Sequence, residues 1–552
     1  MGAIGVAILT KEHAKSSDFK KSFIGLDAME SFSFNQQANS VCPFCANHCK
    51  RTVVTFSNGK QWVTNNRCEK GEVLGDPKND SVKQQLKEKI SSKKEAADMF
   101  RTRQQLLMAD YPYTAADTDK DITIGIPLVL SYWETLPFWK TFWKSLGFKV
   151  QLSDLSTRKM YENGLSAVTS DTVCFPAKLV HGHLRNLADK KVSRIFMPTI
   201  TTVASENTEK TSQSMCAVVK GYPIVIRNSD NPQDTLGIPF DAPMFHWHTD
   251  QDRNRQLITY MSEVFGIEKS KVLNAISQAD AAQQSFRTQL KSEGAKIIKQ
   301  VKSEGRYAVV LASRPYQNDP LVNHELPQMF TKLGIPVLTA DSVPDAENVD
   351  LSQSRIDIVN NYHARMLSSA VICAQSRHLE YVQLVSFGCG HDAYLSDEII
   401  RIMHEVSGKV PLILKVDESD IQGPLGIRVR SFVETVNMKH KTDADIKPHP
   451  LKDSYAVKFT KRHRKEKIVL VPNTSHAFCR IMSAAFSRQG TRAVPLDIGR
   501  EDAIHYGKQY VHNDICFPAQ IVIGEAIAAI KSGKYDDKQV AVAMAKYIGD
   551  CR

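Results

Sequence analysis

Eleven cysteines are spread over 552 residues, and their spacing sorts them into kinds. Four lie in "CPFCANHCKRTVVTFSNGKQWVTNNRC", which places Cys42, Cys45, Cys49 and Cys68 in a Cys-x2-Cys-x3-Cys-x18-Cys pattern. Four thiolates at that spacing can close a tetrahedral site, and both zinc and an iron–sulfur cluster accept four cysteines. The segment between Cys49 and Cys68 reads as a β-hairpin turning at Asn58 and Gly59, which returns Cys68 to the other three.

A second signal is a repeat. "DTVCFPAKLVHGH" around Cys174 and "NDICFPAQIVIGE" around Cys516 share Cys-Phe-Pro-Ala, an aliphatic pair and a glycine at the same spacing. Proline is favoured in the first turn of a helix, so each cysteine is expected at a helix N-terminus, after a short strand such as "LSAVTS". The partial positive charge there lowers a thiol pKa and suits an anionic cluster. Cys216 and Cys389 occupy strand-end positions, Cys389 between Gly388 and Gly390, while Cys373 and Cys479 sit in apolar, core-like contexts.

Three further residues are candidates for acid–base work. His181 and His183 follow Cys174 on its helix; being two apart they point to different faces, so at most one faces the thiol. Glu134 follows the first strand of the α/β region. Asp417 and Glu418 end the strand "PLILKVDE"; a carboxylate there is expected to pair with Arg428 or Arg430, the alternative being substrate binding.

The elements that must position these residues follow a rhythm of strand, loop, helix, glycine, strand. It appears at "DITIGIPLVL" with "LPFWKTFWKSLG", at "YAVVLASRP" with "LPQMFTKLG", and at "EKIVLVPN" with "FCRIMSAAFSRQG". Such units build parallel sheets, so the fold class expected is α/β: repeated Rossmann-like modules plus a small N-terminal four-cysteine module. The boundaries expected are an irregular segment over 1–40, the cysteine module over 41–75 and a helical linker over 76–120. Modules over 121–300, 301–455 and 456–552 follow. No strand is followed by G-x-G-x-x-G or a P-loop, so no nucleotide fingerprint is present.

Composition excludes several classes. No apolar run is long enough for a membrane span, and the first residues lack a secretory pattern. The expected compartment is cytoplasmic and reducing, where clustered thiols serve as metal ligands or redox groups. The net charge of +11 reads as a Lys-rich solvated surface. The runs "KRHRKEK" and "KEKISSKK" lack the interleaved aromatics of a nucleic-acid platform, so no nucleic-acid partner is expected.

Taken together the motifs resemble the acyl-CoA dehydratase activase-related proteins, which are similar to 2-hydroxyacyl-CoA dehydratase subunits and double-cubane cluster proteins. The residues carrying this are 124–153, "DTVCFPAKLVHGH" (171–183), "IFMPTI" (195–200), "ASRPYQNDPLVNHELP" (312–327), "VQLVSFGCGHDA" (382–393) and "NDICFPAQIVIGE" (513–525). The resemblance implies low-potential iron–sulfur chemistry. An actin-like, ATP-dependent activator injects an electron into a cluster held by three cysteines, and a ketyl radical permits loss of water from an acyl-CoA substrate. Carried over by position, Cys174, Cys216 and Cys389 form that three-thiolate site, holding a 4Fe-4S or a double-cubane 8Fe-9S cluster. Cys42, Cys45, Cys49 and Cys68 match the family's N-terminal module, a second 4Fe-4S or zinc site. The resemblance further implies an oligomer. It makes "GAIGVAIL" (2–9) the remnant of an ATPase domain end, and residues 456–552 a module cut short, in which Cys551 would join Cys516. Asn65, where the family has glycine, and Pro43-Phe44 depart from the pattern.

Overall fold

The computed structural model describes residues 2–15, 25–44, 49–66, 69–91, 96–115, 120–207, 211–352, 354–419, 422–441, 449, 459–497 and 500–544. The chain forms two compact units, Met1–Glu95 and Ala96–Arg552.

In the first unit the expected hairpin is present. Lys50–Phe56 pairs antiparallel with Gln61–Thr64, in a register that puts Val53 opposite Val63. A third strand, Phe34–Val41, pairs on the other side of Lys50–Phe56, and Gly2–His13 is a helix. The segment 1–40, read from sequence as irregular, therefore carries both a helix and an edge strand. Its Ser/Asn/Gln-rich end hid the strand because every residue of Phe34–Val41 except Ser40 is exposed. With no buried face, there is no apolar alternation to detect.

The second unit holds three parallel sheets of the expected kind. The first has the spatial order Phe148–Leu152, Lys120–Ile126, Arg194–Phe196, Phe240–Asp241; the second has Val337–Thr339, Ala308–Ala312, Leu379–Ser386, Leu412–Val416. The third has Ala493–Pro495, Ile468–Val471, Val540–Val542, and a two-stranded parallel pair joins Thr199–Thr202 to Met244–His246. Gly147, Gly334 and Gly490 follow the helices Tyr132–Ser145, Leu326–Thr331 and His476–Arg488 at φ of 84°, 79° and 80°. A left-handed residue there turns each helix into its next strand, and glycine takes that conformation without strain. The first sheet packs on an aromatic core in which Trp133, Trp139 and Trp143 are fully buried.

The helical linker over 76–120 resolves into two helices, Asp80–Ser91 and Met99–Met108, in different units. The second is a core element. Asp98 caps it by accepting from the Phe100 and Arg101 amides, and Met99, Phe100, Arg103 and Leu107 are buried. Among the described residues no helix is long and apolar enough to cross a membrane.

Candidate functional site

Three helical segments begin with the cysteines singled out above. Cys174 is the N-cap of Phe175–Lys178, which runs on through a helical Leu179 into Val180–Asp189. Cys216 caps Ala217–Ser229 and Cys389 caps Gly390–Ser407. Several contacts converge these helix ends. The Met215 amide donates to Thr201 O at 2.9 Å within the first module, and the Ser212 amide donates to Ile358 O at 2.7 Å, stitching the Cys216 segment onto the second. A Cβ at Gly388 would lie 3.2 Å from Thr172 O, so the turn before Cys389 touches the turn before Cys174. Charge on Cys216 or Cys389 opposes ionisation of Cys174, and charge on any of the three opposes ionisation of the buried Tyr316. The three thiols therefore lie within electrostatic reach of one another and of Tyr316.

The local expectations are met in part. The cysteines do sit at helix N-termini, but no strand precedes Cys174. "LSAVTS" is a short 3-10 turn, Leu165–Ala167, followed by irregular backbone. The expected lowering of the thiol pKa is also overturned. Burial pushes Cys174 up to about 12 and Cys389 up to about 11. Desolvation of a buried thiolate outweighs a helix end whose partial charge is about half an elementary charge.

Sequence reading missed the polar groups around the thiols. Arg314, fully buried, places Nη2 2.8 Å from Asp392 Oδ1, and Asp392 is itself fully buried. Asp392 lies in the first turn of the helix that Cys389 caps, and its amide donates to Cys389 O at 3.1 Å. Tyr222 is the second omission. Its hydroxyl is 3.1 Å from His181 Nε2, while His181 Nδ1 is 2.7 Å from Asp230 Oδ2. Tyr222 is held protonated by burial, with Cys174 next in effect. His181 is fully buried and contacts Tyr222, whose hydroxyl is within electrostatic reach of Cys174.

His183 is equally buried but differently placed. Ser153 Oγ is 2.7 Å from its Nδ1 and Ser156 Oγ 2.9 Å from its Nε2, so both ring nitrogens are engaged in joining loops. Burial lowers it to about 3, which keeps the ring neutral. Glu134 lies in the first turn of Tyr132–Ser145, its Oε1 2.5 Å from Arg365 Nη2, and Arg365 also binds Glu206 at 2.6 Å. Two cavities, of about 540 and 270 Å3, share Glu134, Glu206 and Arg287 in their walls; the larger also touches Met215 and Tyr362. Tyr362 lies beside Glu134, and Cys216 contributes to its raised pKa. Glu418 pairs with Lys178 at 2.8 Å, not with Arg428 or Arg430.

The repeat around Cys174 and Cys516 is structural as well as sequential. Cys516 is the N-cap of Phe517–Lys531, with φ and ψ of −58° and 146° against −64° and 149° at Cys174. The shared glycines, Gly182 and Gly524, face the preceding helices. A Cβ at Gly182 would overlap Met160 O, and one at Gly524 would overlap Ala503 O. Backbone cannot retreat as a flexible side chain can, so Gly182→Ala and Gly524→Ala should each cost about 1–3 kcal/mol or more. Thermal midpoints measured beside a surface Gly→Ala control, such as Gly423→Ala, check this. An unchanged midpoint would mean that the helices part freely.

Cys373 and Cys479 are buried, as expected. In the first unit, the Cys42 amide donates to Cys49 O at 2.9 Å, which sets these two cysteines across the end of the ladder. Cys45, Cys68 and Cys551 lie outside the described residues. Among the described residues no three His, Cys, Asp or Glu side chains close on a single metal ion. In a cubane cluster each thiolate binds a different iron, so its ligands stand wider apart than those of one ion.

The fold and site thus define a parallel α/β protein with thiols gathered at helix N-termini. Residues 123–343 match the family model described as CoA enzyme activase uncharacterised domain. That span holds Glu134, Cys174, His181, His183 and Cys216 and ends before Cys389. No curated protein matches the chain.

Proposed function

We propose that this chain is an iron–sulfur protein of the activase-related kind. It accepts a low-potential electron from a separate ATP-dependent activator of the actin-like type. It passes that electron, at a cluster held by Cys174, Cys216 and Cys389, to a substrate undergoing dehydration or reduction. One observation carries the reading: three cysteines remote in sequence each cap a helix N-terminus and lie within electrostatic reach of one another and of Tyr316. The donor set fits the group, because three thiolates facing three positive helix ends suit an anionic cluster.

When bound, the cluster supplies one-electron chemistry. The chain's own residues do the rest. Tyr316 is buried and lies within electrostatic reach of all three thiols, where its apolar ring limits the access of water. The 540 Å3 cavity beside Met215 takes the acyl part of a thioester substrate, with Glu134 as its acid–base group. Tyr222 moves a proton backed by His181 and Asp230. His183 braces loops. Cys42, Cys45, Cys49 and Cys68 hold a second 4Fe-4S cluster or zinc, and Cys516 with Cys551 belongs to a further cluster site.

Anaerobic purification with iron and acid-labile sulfide analysis tests the reading. Alanine at Cys174, Cys216 or Cys389 should each remove the visible absorbance of one cluster while the first unit keeps its metal. If every iron stays with the three variants, the three-thiolate site is refuted. Zinc without sulfide would leave a structural metalloprotein. Turnover with an added ATP-dependent reductase then separates an enzyme from an electron relay.

A further inference from the structure

The three helix ends at the thiol site are all positive, and a buried cation, Arg314, acts on Cys174 and Cys389. Arg314 is 1% exposed and lies against the first turn of the helix capped by Cys389, where Asp392 is its carboxylate partner. Asp392 is also held by the Ser386 amide, which donates to its Oδ2 at 3.0 Å, so the pair cannot swing away. Arg314 Nη2 is 3.3 Å from His363 Nε2, while Nη1 has no hydrogen-bond partner among the described residues. Asp392 therefore does not consume the whole guanidinium. Burying a guanidinium is costly unless an anion compensates it, and replacing this pair by apolar residues would often cost nothing. A charged pair fixed at the helix end of Cys389, with Arg314 also acting on Cys174, needs another reason, and charge at the redox centre supplies one.

We propose that the Arg314–Asp392 pair sets the reduction potential of the cluster at Cys174, Cys216 and Cys389, Arg314 favouring the reduced state and Asp392 opposing it. The inference rests on the proposed cluster site. Reduction adds one negative charge to the cluster. A cation nearby stabilises that charge and raises the potential, and an anion nearby lowers it. Low dielectric around the buried pair keeps both effects large.

EPR-monitored redox titration of the full chain tests this. Arg314→Gln should shift the potential negative and Asp392→Asn positive, each by about tenfold in the reduction equilibrium, which is about 59 mV for one electron. Arg314→Lys keeps the charge and should stay near the native value. The double variant Arg314→Gln/Asp392→Asn leaves no unpaired buried charge and should fall between the single variants; it carries the comparison with Asp392→Asn if Arg314→Gln fails to fold. Shifts of one sign, or none, with iron retained would overturn the inference while leaving the cluster intact. A native protein holding no iron at the three cysteines would overturn both.

Discussion

Arg365→Met is expected to destabilise the second unit by about 3 kcal/mol at neutral pH. Arg365 joins Glu134 to Glu206: Nη2 reaches both carboxylates, and Nε donates to Glu206 Oε2 at 2.8 Å. Methionine keeps the volume and removes the charge, leaving two carboxylates to face each other. The side chains of Glu134 and Glu206 are 11% and 26% exposed, so water reaches Glu206 in part and the lower end of the usual range of about 3–5 kcal/mol applies. The pH dependence identifies the cause. Burial raises Glu206, but Arg365 with Arg287 and Lys291 outweighs it and holds the carboxyl at about 2. In the native chain Glu206 therefore contributes stability above its unfolded pKa, which is lost as pH falls from about 4.5 to about 2. In Arg365→Met, Glu206 keeps its burial and loses its main cation, so it takes up a proton more readily and the penalty should shrink as pH falls from about 7 to about 4.5. Chemical denaturation at both pH values reads this, and an equal loss at both would make Arg365 a packing residue only. Glu134→Gln leaves Arg365 with Glu206 and should cost only about 1 kcal/mol. A collapse of turnover in that variant would then report on acid–base chemistry.

What could be read from sequence was whatever local periodicity and helix-end chemistry determine. The strand–helix–glycine units stood out because alternating and 3.6-residue patterns are local, and because Gly147, Gly334 and Gly490 must take positive φ. Pro176 and Pro518 likewise located the cysteines at helix starts. The strand expected before Cys174 failed because "LSAVTS" has β-type residues but no partner strand; its shape follows from the packing of Gly164 against Gly182. The thiol pKa failed because depth of burial is a tertiary property. The Glu418 partner failed for the same reason: Lys178 lies 240 residues away, whereas Arg428 is merely near in sequence. Arg314 did leave a trace. A charged residue immediately after the apolar run "YAVVLAS" must be either solvated or paired, and a buried pair beside a site is the informative case.

Stability should also fall as pH drops from about 7 to about 5, through three histidines held neutral. Burial lowers His181, despite hydrogen bonding and charge from Asp230, and it lowers His183 to about 3. Burial and then Arg314 and His391 push His363 well below the ordinary value. His183 and His363 take up a proton in the unfolded chain near pH ~6.5 but not in the folded one, and His181 binds its proton more weakly when folded, so the unfolded state binds more protons and stability rises with pH. Carboxyls raised by burial work the other way, Asp241, Asp280 and Glu525 among them and Asp319 within this pH range. Burial lifts Asp319 to about 6, against hydrogen bonds from the Ser156 hydroxyl and the Leu321 and Val322 amides, so the folded chain takes up a proton there as pH falls below about 6. Two protons, at His183 and His363, against one at Asp319 leave a net of about one, roughly 1.4 kcal/mol per pH unit once the unfolded histidines are charged. Thermal midpoints of the full chain across this pH range should therefore drop steeply. His183→Gln, which can still bond Ser153 or Ser156, should remove about one proton of that dependence. A flat profile would mean that these rings become charged in the folded chain, which requires water at His181 and His363.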